Sequence, residues 1–541
     1  MPLSLSQARQ VLRRRLAGEE GTVRKDWGGR IPIVLLFPNR YQVAMSNLGF
    51  QTLYGLLNAE GDVVCERATW EGAEFPLLSL ESQRPLSAFP VWAFSVPFET
   101  DYIHLVDIIR RAGLPLWAAE RGPDDPLLLA GGVALSSNPE PVAPFLDAIV
   151  VGEAEPVLGA LLEVLRGSRR RDEALRTLAR LPGVYVPTMP EGRPVARQWA
   201  RDLAFPTTSV VLTRDTEFGD AFLIEIARGC GYGCRFCLAG HLTRPPRFRP
   251  LEQLRPLVAA GLRHRRRVGL VGAAVSDHPE LAGIVAAVRE MGGGFTLASL
   301  RADQVSPTLL EGLRSSGTQT LTLAPEVASR RLVGAVSKGF GAQEMLEAVG
   351  MARAAGLRRL KLYFMVGLPG ETREDVQAIV PLVQEAHGRL GGGHVSVSVA
   401  PFVPKPHTPF QWAAMAEAQV LQERLRLLRE HLRPLGVAVE AESVPWSRVQ
   451  GVLARGDRRL AKALERMQPT LAGWRQALAA EGLTEEEYLR QRAPEEVFPW
   501  EVVAPGVTRD YLWGEWERAR EGRPGRLCPV GERCTRCGVC G

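Results

Sequence analysis

The feature that most restricts the fold is a repeated alternation of short apolar runs with helical stretches, which the chain passes through twice. In the first round IVLLF (33–37) precedes a helix opening at Ser46 and Asn47, and VWAFSV (91–96) precedes the segment after Thr100. LLLAGG (127–132) then ends in paired glycines, and AIVVGEAE (148–155) leads into another helix. Continuous apolar strands joined through helices require a parallel sheet covered on both faces. Residues 1–205 are therefore expected to be a doubly wound α/β domain. Its ligand edge would lie at the C-terminal strand ends, near Asn39, Ser95, Gly131, Gly132 and Gly152.

The pattern breaks over residues 203–218, where Pro206 and polar residues mark a boundary, and a second alternation begins. Its strands are FLIEIA (222–227), RVGLVGA (267–273), FTLASL (295–300), TQTLTLA (318–324), RLKLYFMVG (359–367) and HVSVSVAPF (394–402). Six strands with helices between them predict a βα barrel, complete or partial, over 206–415, with chemistry at the C-terminal strand ends. From 416 to 541 the composition turns to Arg, Leu, Ala and Glu at helical spacing, then to an irregular stretch with Trp500, Trp513 and Trp516. A mostly helical C-terminal region is expected there.

At 541 residues, 45% hydrophobic and 23% charged, the chain is of ordinary globular composition, and that excludes disordered and collagen-like classes. No run of about 18 apolar residues occurs, so no membrane span is expected. The first residues, MPLSLSQARQVLRRRLAG, read as a basic amphipathic helix rather than a secretory signal, and the expected location is cytoplasmic. The net charge of +6 is spread among clusters at Arg13–Arg15, Arg169–Arg171 and Arg263–Arg267, a distribution typical of solvated helix faces.

Eight cysteines in so long a chain do not make a disulfide scaffold, but their placement is informative. Cys65 stands alone, while Cys230, Cys234 and Cys237 share the stretch RGCGYGCRFCLAG (228–240), directly after the first barrel strand. Gly229, Gly231 and Gly233 permit the tight turns that bring three thiolates onto one small object. A [4Fe–4S] cluster takes four ligands, usually thiolates, and here three are local. The competing readings are structural cysteines, which would not need the glycines, and zinc, for which His241 is the nearest fourth ligand.

C-x3-C-x2-C with Phe236 before its third cysteine resembles the signature of the radical S-adenosylmethionine (SAM) superfamily, whose core is a partial TIM barrel. The resemblance implies that the iron lacking a protein ligand is chelated by SAM. It further implies that an electron from the cluster, supplied by a reductant such as flavodoxin or ferredoxin, breaks a C–S bond to give a 5′-deoxyadenosyl radical. LVGAAVSDHPE (270–280) stands where the superfamily has a Gly-Gly-Glu type turn for the SAM amino group, with Gly272, Ala273 and Ala274 departing from it. SLRAD (299–303) and APEVAS (324–329) make Ser299, Arg301 and Glu326 candidates for the SAM ribose and carboxylate. YFMVGLPGET (363–372) and APFVPKPHTPFQW (400–412) resemble the fifth and sixth strand ends of the subgroup containing methylthiotransferases and cobalamin-dependent enzymes. In the first of these, Thr372 and Asp375 form a helix-capping box. Lys361 is expected to face the barrel interior as a carboxylate partner.

Radical SAM enzymes with a doubly wound, Rossmann-like N-terminal domain often bind cobalamin there, and GGVALSSNPEPVAPFLDAIVVGEAEP (131–156) is similar to the corresponding segment. The D-x-H-x-x-G motif of His-ligated cobalamin domains is missing, and His104 lies in a helical pattern. The resemblance therefore implies cobalamin without a protein ligand to cobalt, against a vestigial or substrate-docking domain. At the other end, Cys528, Cys534, Cys537 and Cys540 form a metal knuckle, for an auxiliary Fe–S cluster or zinc. The expected reaction is methylation or a related modification of a nucleic-acid, protein or small-molecule substrate, with methylthiolation or sulfur insertion as the alternative. A non-catalytic Fe–S or zinc RNA-binding protein is the reading from another class. HLTRPPRFRP (241–250) and the basic clusters suggest a phosphate-bearing or RNA substrate.

Overall fold

The computed structural model describes residues 3–168, 170–189, 192–529 and 534–540. Arg169 of the second basic cluster lies outside the described residues. Among those described, no helix is long and apolar enough to cross a membrane.

The first alternation folds into a six-stranded sheet of β1 (Ile31–Phe37), β2 (Val63–Thr69), β3 (Val91–Ser95), β4 (Leu127–Gly131), β5 (Ala148–Val150) and β6 (Val184–Tyr185). Their order is β2-β1-β3-β4-β5-β6, parallel except for the antiparallel edge strand β6. Both faces are covered. Val34, Leu36, Trp92 and Phe94 face a core shared with helix Asp101–Arg111, and Ile33, Leu35 and Phe37 face a second core with helix Leu48–Ala59. Burial on both sides is why these strands read as unbroken apolar runs.

A short strand β7 (Val195–Ala196) leads out of this domain toward the barrel. The barrel opens with β8 (Phe222–Glu225) and β9 (Ala227–Arg228), and β10 (Arg247–Phe248) returns antiparallel to β9. It continues with β11 (Arg267–Val271), β12 (Gly294–Thr296), β13 (Thr320–Glu326), β14 (Arg359–Val366), β15 (His394–Pro401) and β16 (Ala438–Ala441). β8, β11 and β12 form one parallel sheet and β13 to β16 another, with a single parallel bridge from Leu300 to Leu323 between them. The result is a partial barrel. Along β14, Leu360, Leu362, Phe364 and Val366 are buried, while Lys361, Tyr363 and Met365 between them stay partly accessible on the opposite side.

Six barrel strands were expected, and the sheet has a seventh, β16, beyond residue 415. Its sequence AVEA is short and lies on the sheet edge, so it carries no apolar run to announce it. The remaining C-terminal region is helical from Val444–Arg455 to Arg509–Arg520, and β17 (Val503–Ala504) pairs in parallel with β7. A third core, with Trp412, Trp500 and Trp516 at its centre, joins this region to the barrel.

Candidate active site at a three-cysteine loop

The pairing of β9 with β10 holds together the two ends of the excursion that carries Cys230, Cys234 and Cys237. Gly229 begins it at φ +82°, and a Cβ there would lie 2.4 Å from the Thr243 carbonyl oxygen and 2.7 Å from that of Pro245. Only glycine fits. Arg235, fully buried between the second and third cysteines, fixes the far side of the loop. Its Nε and Nη2 donate to the Glu515 carboxylate at 3.0 and 2.8 Å, and its Nη1 donates to the Gly334 and Ala335 carbonyls.

Burial pushes the Cys230 and Cys234 thiols up to about 11 and raises that of Cys237, and each of the three is affected by the charge of another. They therefore lie within electrostatic reach of one another. Yet among the described residues no three His, Cys, Asp or Glu side chains converge on a point where one ion could sit. His241, expected as the fourth zinc ligand, is fully buried and donates from Nδ1 to the Cys237 carbonyl at 2.9 Å.

Charged side chains of both signs surround the thiols. Tyr232, between the first two cysteines, donates to Asp277 at 3.2 Å, and the Arg301 guanidinium lies 3.4 Å from the Tyr232 ring centroid while pairing with Asp303 at 2.9 Å. Burial pushes Asp277 up to about 6, against the pull of Arg301. At the end of β13, Glu326 holds a left-handed φ of +67° and pairs with Lys338 at 3.2 Å. Burial raises the Glu326 carboxyl, with Lys338 opposing. A non-glycine residue at positive φ is backbone strain retained at the barrel mouth. Lys338 and Arg301 also act on Cys234, where they favour the thiolate. Three carboxylates, Asp277, Asp303 and Glu326, and two cations, Arg301 and Lys338, beside three thiols suit a zwitterionic amino acid such as the methionine portion of SAM.

Arg301 and Glu326 thus stand beside the loop, and sequence reasoning missed Tyr232, Asp277 and Lys338. Asp277 follows Gly272, Ala273 and Ala274 on one βα connection, so a carboxylate close after the departed Gly-Gly-Glu turn was the available signal. A Cβ on Gly272 would lie 3.0 Å from the Ala227 carbonyl oxygen, which places this turn against the strand entering the loop. Ala273 and Ser299 are exposed, and Phe236 packs on the third core. Lys361 pairs with Glu440 of β16 at 3.3 Å, an exposed contact on the sheet edge. Thr372 and Asp375 form the expected capping box.

The Arg-Pro segment requires a correction. Arg244, Arg247 and Arg249 are 3%, 8% and 1% exposed, too little to present a phosphate-binding face. Arg247 binds Glu153, Arg249 donates to the carbonyls of Glu225 and Phe205, and Arg244 donates to those of Tyr232 and Gly240. These guanidiniums satisfy the protein's own backbone and carboxylates.

A cavity of about 380 Å³ opens between the first domain and this loop. Leu53 and Leu56 of helix Leu48–Ala59, Leu158 and Leu161 of helix Glu155–Gly167, and Ala93 and Leu129 of the sheet line its apolar part. Ser95, Gly131, Gly132 and Gly152 at the strand ends lead from there to Arg228, Leu242 and Thr243, which flank the three cysteines in sequence. Gly132, at φ +121°, could not carry a Cβ, which would meet the Val96 carbonyl oxygen at 2.4 Å. Three ion pairs close the joint, between Glu153 and Arg228, Glu153 and Arg247, and Glu155 and Arg228, while Arg228 is also held by Glu225 of its own domain. Among the described residues no histidine lines the cavity, and His104 is stacked on Trp70 with its Nδ1 donating to the Pro38 carbonyl. The size suits a nucleotide-sized, mainly apolar group entering at the strand ends of a doubly wound sheet.

Two families match the chain: "Radical SAM proteins, N-terminal" over residues 49–187 and "Radical SAM superfamily" over residues 224–383. An uncharacterized protein of Methanocaldococcus jannaschii is 29% identical over 437 residues, covering 80% of this chain and 90% of the relative. A tRNA-2-methylthio-N(6)-dimethylallyladenosine synthase of Methylococcus capsulatus is 26% identical over 307 residues, 52% of this chain and 63% of the synthase. Among solved structures, the radical S-adenosylmethionine methyltransferase TsrM from Kitasatospora setae, with cobalamin and a [4Fe–4S] cluster bound, is similar in fold. It has a TM-score of 0.50 and 14% identity, covering 91% of this chain and 99% of that one.

Proposed function

Because the chain belongs to the radical SAM superfamily, we propose that this enzyme cleaves SAM reductively at a [4Fe–4S] cluster on Cys230, Cys234 and Cys237, and methylates its substrate through a cobalamin held by the first domain. The cavity joining the strand ends of that domain to the cysteine loop carries the reading, because it puts a nucleotide-sized apolar site next to the thiols. When bound, the cluster supplies the electron for SAM cleavage and the corrinoid supplies a carrier for the methyl group. Asp277 and Glu326 would face the SAM ammonium, and Arg301 and Lys338 would face its carboxylate. Leu53, Leu56, Leu129, Leu158 and Leu161 would hold the apolar part of such a group away from water. Glu153, Glu155, Arg228 and Arg247 fix the two domains against each other and so set the distance between the two sites.

Anaerobic protein produced with iron, sulfide and cobalamin tests this through its absorption spectrum and through 5′-deoxyadenosine release from SAM under dithionite. A bound corrinoid band and SAM cleavage that disappears on Cys230→Ala, Cys234→Ala or Cys237→Ala are expected. Cleavage retained in those variants refutes the cluster assignment, and absence of a corrinoid band refutes methylation by this route. Methylthiolation is the second reading, favoured by the four further cysteines at 528–540 and by the synthase relative. In either case the electron comes from a reductant of flavodoxin or ferredoxin type.

A further inference from the structure

The turn that ends β14, Gly367 to Glu371, forms one wall of a cavity outside the cysteine loop. Glu371 is buried and saturated there. It accepts from the Gly367 N–H at 2.9 Å, from the Leu368 N–H at 3.4 Å and from Arg424 of helix Ala418–Leu432. Arg424 also donates to the Glu371 carbonyl at 2.9 Å, and Arg331 of helix Arg330–Val336 donates to the Gly370 carbonyl at 2.8 Å. Two guanidiniums are thus held at consecutive carbonyls of one turn. A third comes from the end of helix Arg509–Arg520. A Cβ on Gly334 would run into the Gly522 carbonyl oxygen, so that helix end is seated on helix Arg330–Val336, and it brings Arg520 to the same cavity as Arg331.

The space between them is about 570 Å³. Its floor is apolar, with Leu368, Phe410, Ala413, Met415 and Trp516 all buried. Three guanidiniums line it against two carboxylates, and both carboxylates are taken, Glu371 as described and Glu521 by Arg523 at 3.0 Å. The cations have capacity left. Arg331 meets Asp375 and the Gly370 carbonyl through Nη2, with its side chain 51% exposed, and Arg520 is exposed with no ion-pair partner among the described residues. An apolar floor beneath a cationic rim fits a ligand with a flat ring at one end and a phosphate at the other. Guanidinium forks bind such an oxyanion bidentately.

The cavity adjoins the loop without being part of it. Phe410 and Ala335, which line it, are the residues that hold Arg235 between the second and third cysteines. The Phe410 N–H donates to the Arg235 carbonyl at 3.3 Å, and Arg235 Nη1 donates to the Ala335 carbonyl at 2.8 Å. We propose that this cavity is a second ligand site, for a ring-bearing phosphate monoester of mononucleotide type, filled independently of the loop.

Isothermal titration of the full-length protein, as wild-type apoprotein and as the loop variant C230A/C234A/C237A, tests this with AMP, adenosine and inorganic phosphate as probes. AMP should bind both proteins equally, and at least about ten-fold more tightly than adenosine or phosphate. Arg520→Glu should weaken AMP by about ten-fold or more, and Ala414→Trp, which fills the cavity from an exposed lining position, should abolish binding. Arg263→Glu, the same charge change on an exposed residue of helix Leu251–His264, should leave it unchanged. No AMP binding at about 1 mM overturns the site, as does phosphate alone matching the affinity of AMP. An unchanged AMP affinity in Arg520→Glu overturns it whether or not Ala414→Trp folds. Displacement of AMP by S-adenosylhomocysteine, or its loss in a folded loop variant, would put the nucleotide at the barrel mouth and overturns the second site as well.

Discussion

Glu153→Gln is a direct test of the joint between the two domains. The Glu153 carboxylate accepts from Arg247 at 2.7 and 3.0 Å, from Arg228 at 2.9 Å and from the Ala200 N–H at 2.9 Å, with its side chain 13% exposed. Removing one partner of a buried ion pair costs about 3–5 kcal/mol, because the other charge is left without compensation. Arg228 keeps Glu155 and Glu225, so the loss falls on Arg247, and the low end, about 3 kcal/mol, applies. At about 2–4 °C per kcal/mol, that lowers the thermal midpoint by about 6–12 °C near pH 7. Burial alone would raise the Glu153 carboxyl, but the Arg247 and Arg228 guanidiniums outweigh it and hold the group below its ordinary 4.5. A group whose folded-state pKa is lowered contributes stability that is present above its unfolded value and lost as pH falls through its folded value. The gap between wild type and variant should therefore be full at pH 7 and close on acidification below about pH 4.5. Calorimetry on the anaerobic apoprotein reads both. Glu155→Gln, which removes one contact at 3.0 Å, is the control, with a cost of about 1 kcal/mol. A Glu153→Gln midpoint within about 2 °C of wild type, or a gap that persists into acid, refutes the clamp.

Other substitutions report on the two sites. Gly229→Ala forces a Cβ against two carbonyl oxygens at positive φ, and iron retention after desalting should fall to that of the triple-cysteine loop variant. Asp277→Asn removes one carboxylate proposed to face the SAM ammonium, and equilibrium dialysis should show SAM affinity lowered by about ten-fold or more. Ala93→Phe fills the apolar part of the 380 Å³ cavity, and the corrinoid band should vanish while cluster absorbance is unchanged.

The first domain was legible because its strands are buried on both faces, so β1 and β4 had to be written almost wholly in apolar residues. The loop was legible because a cluster needs thiolates at short spacing, and Gly229 to Cys237 says so in nine letters. Where a residue's role depends on a neighbour distant in sequence, the signal was weak. Tyr232 and Asp277 meet because β11 lies parallel to β8, and Lys338 reaches Glu326 only through the turn after helix Arg330–Val336. The arginines of HLTRPPRFRP misled for a related reason. A basic residue beside proline reads as solvated until the fold shows which carbonyls it must satisfy. Likewise, the spacing of the last four cysteines marked them as ligands, but nothing in it indicated that Cys528 would rest on Gly231.

The pairing of β17 with β7 sets an order of events in the life of the chain. Val195–Ala196 leaves the ribosome about 300 residues before Val503–Ala504, at an elongation rate of about 5–20 residues per second. For that interval the first domain can fold and the barrel strands can pair while the segment that covers the cysteine loop does not yet exist. Gly231 is free of Cys528 until about 300 further residues have been made, so the loop stays uncovered for tens of seconds and is covered only afterwards. Truncation before residue 500 should leave a loop that loads iron readily and loses it readily. The segment at Cys528 is thus a latch laid on the loop late in assembly.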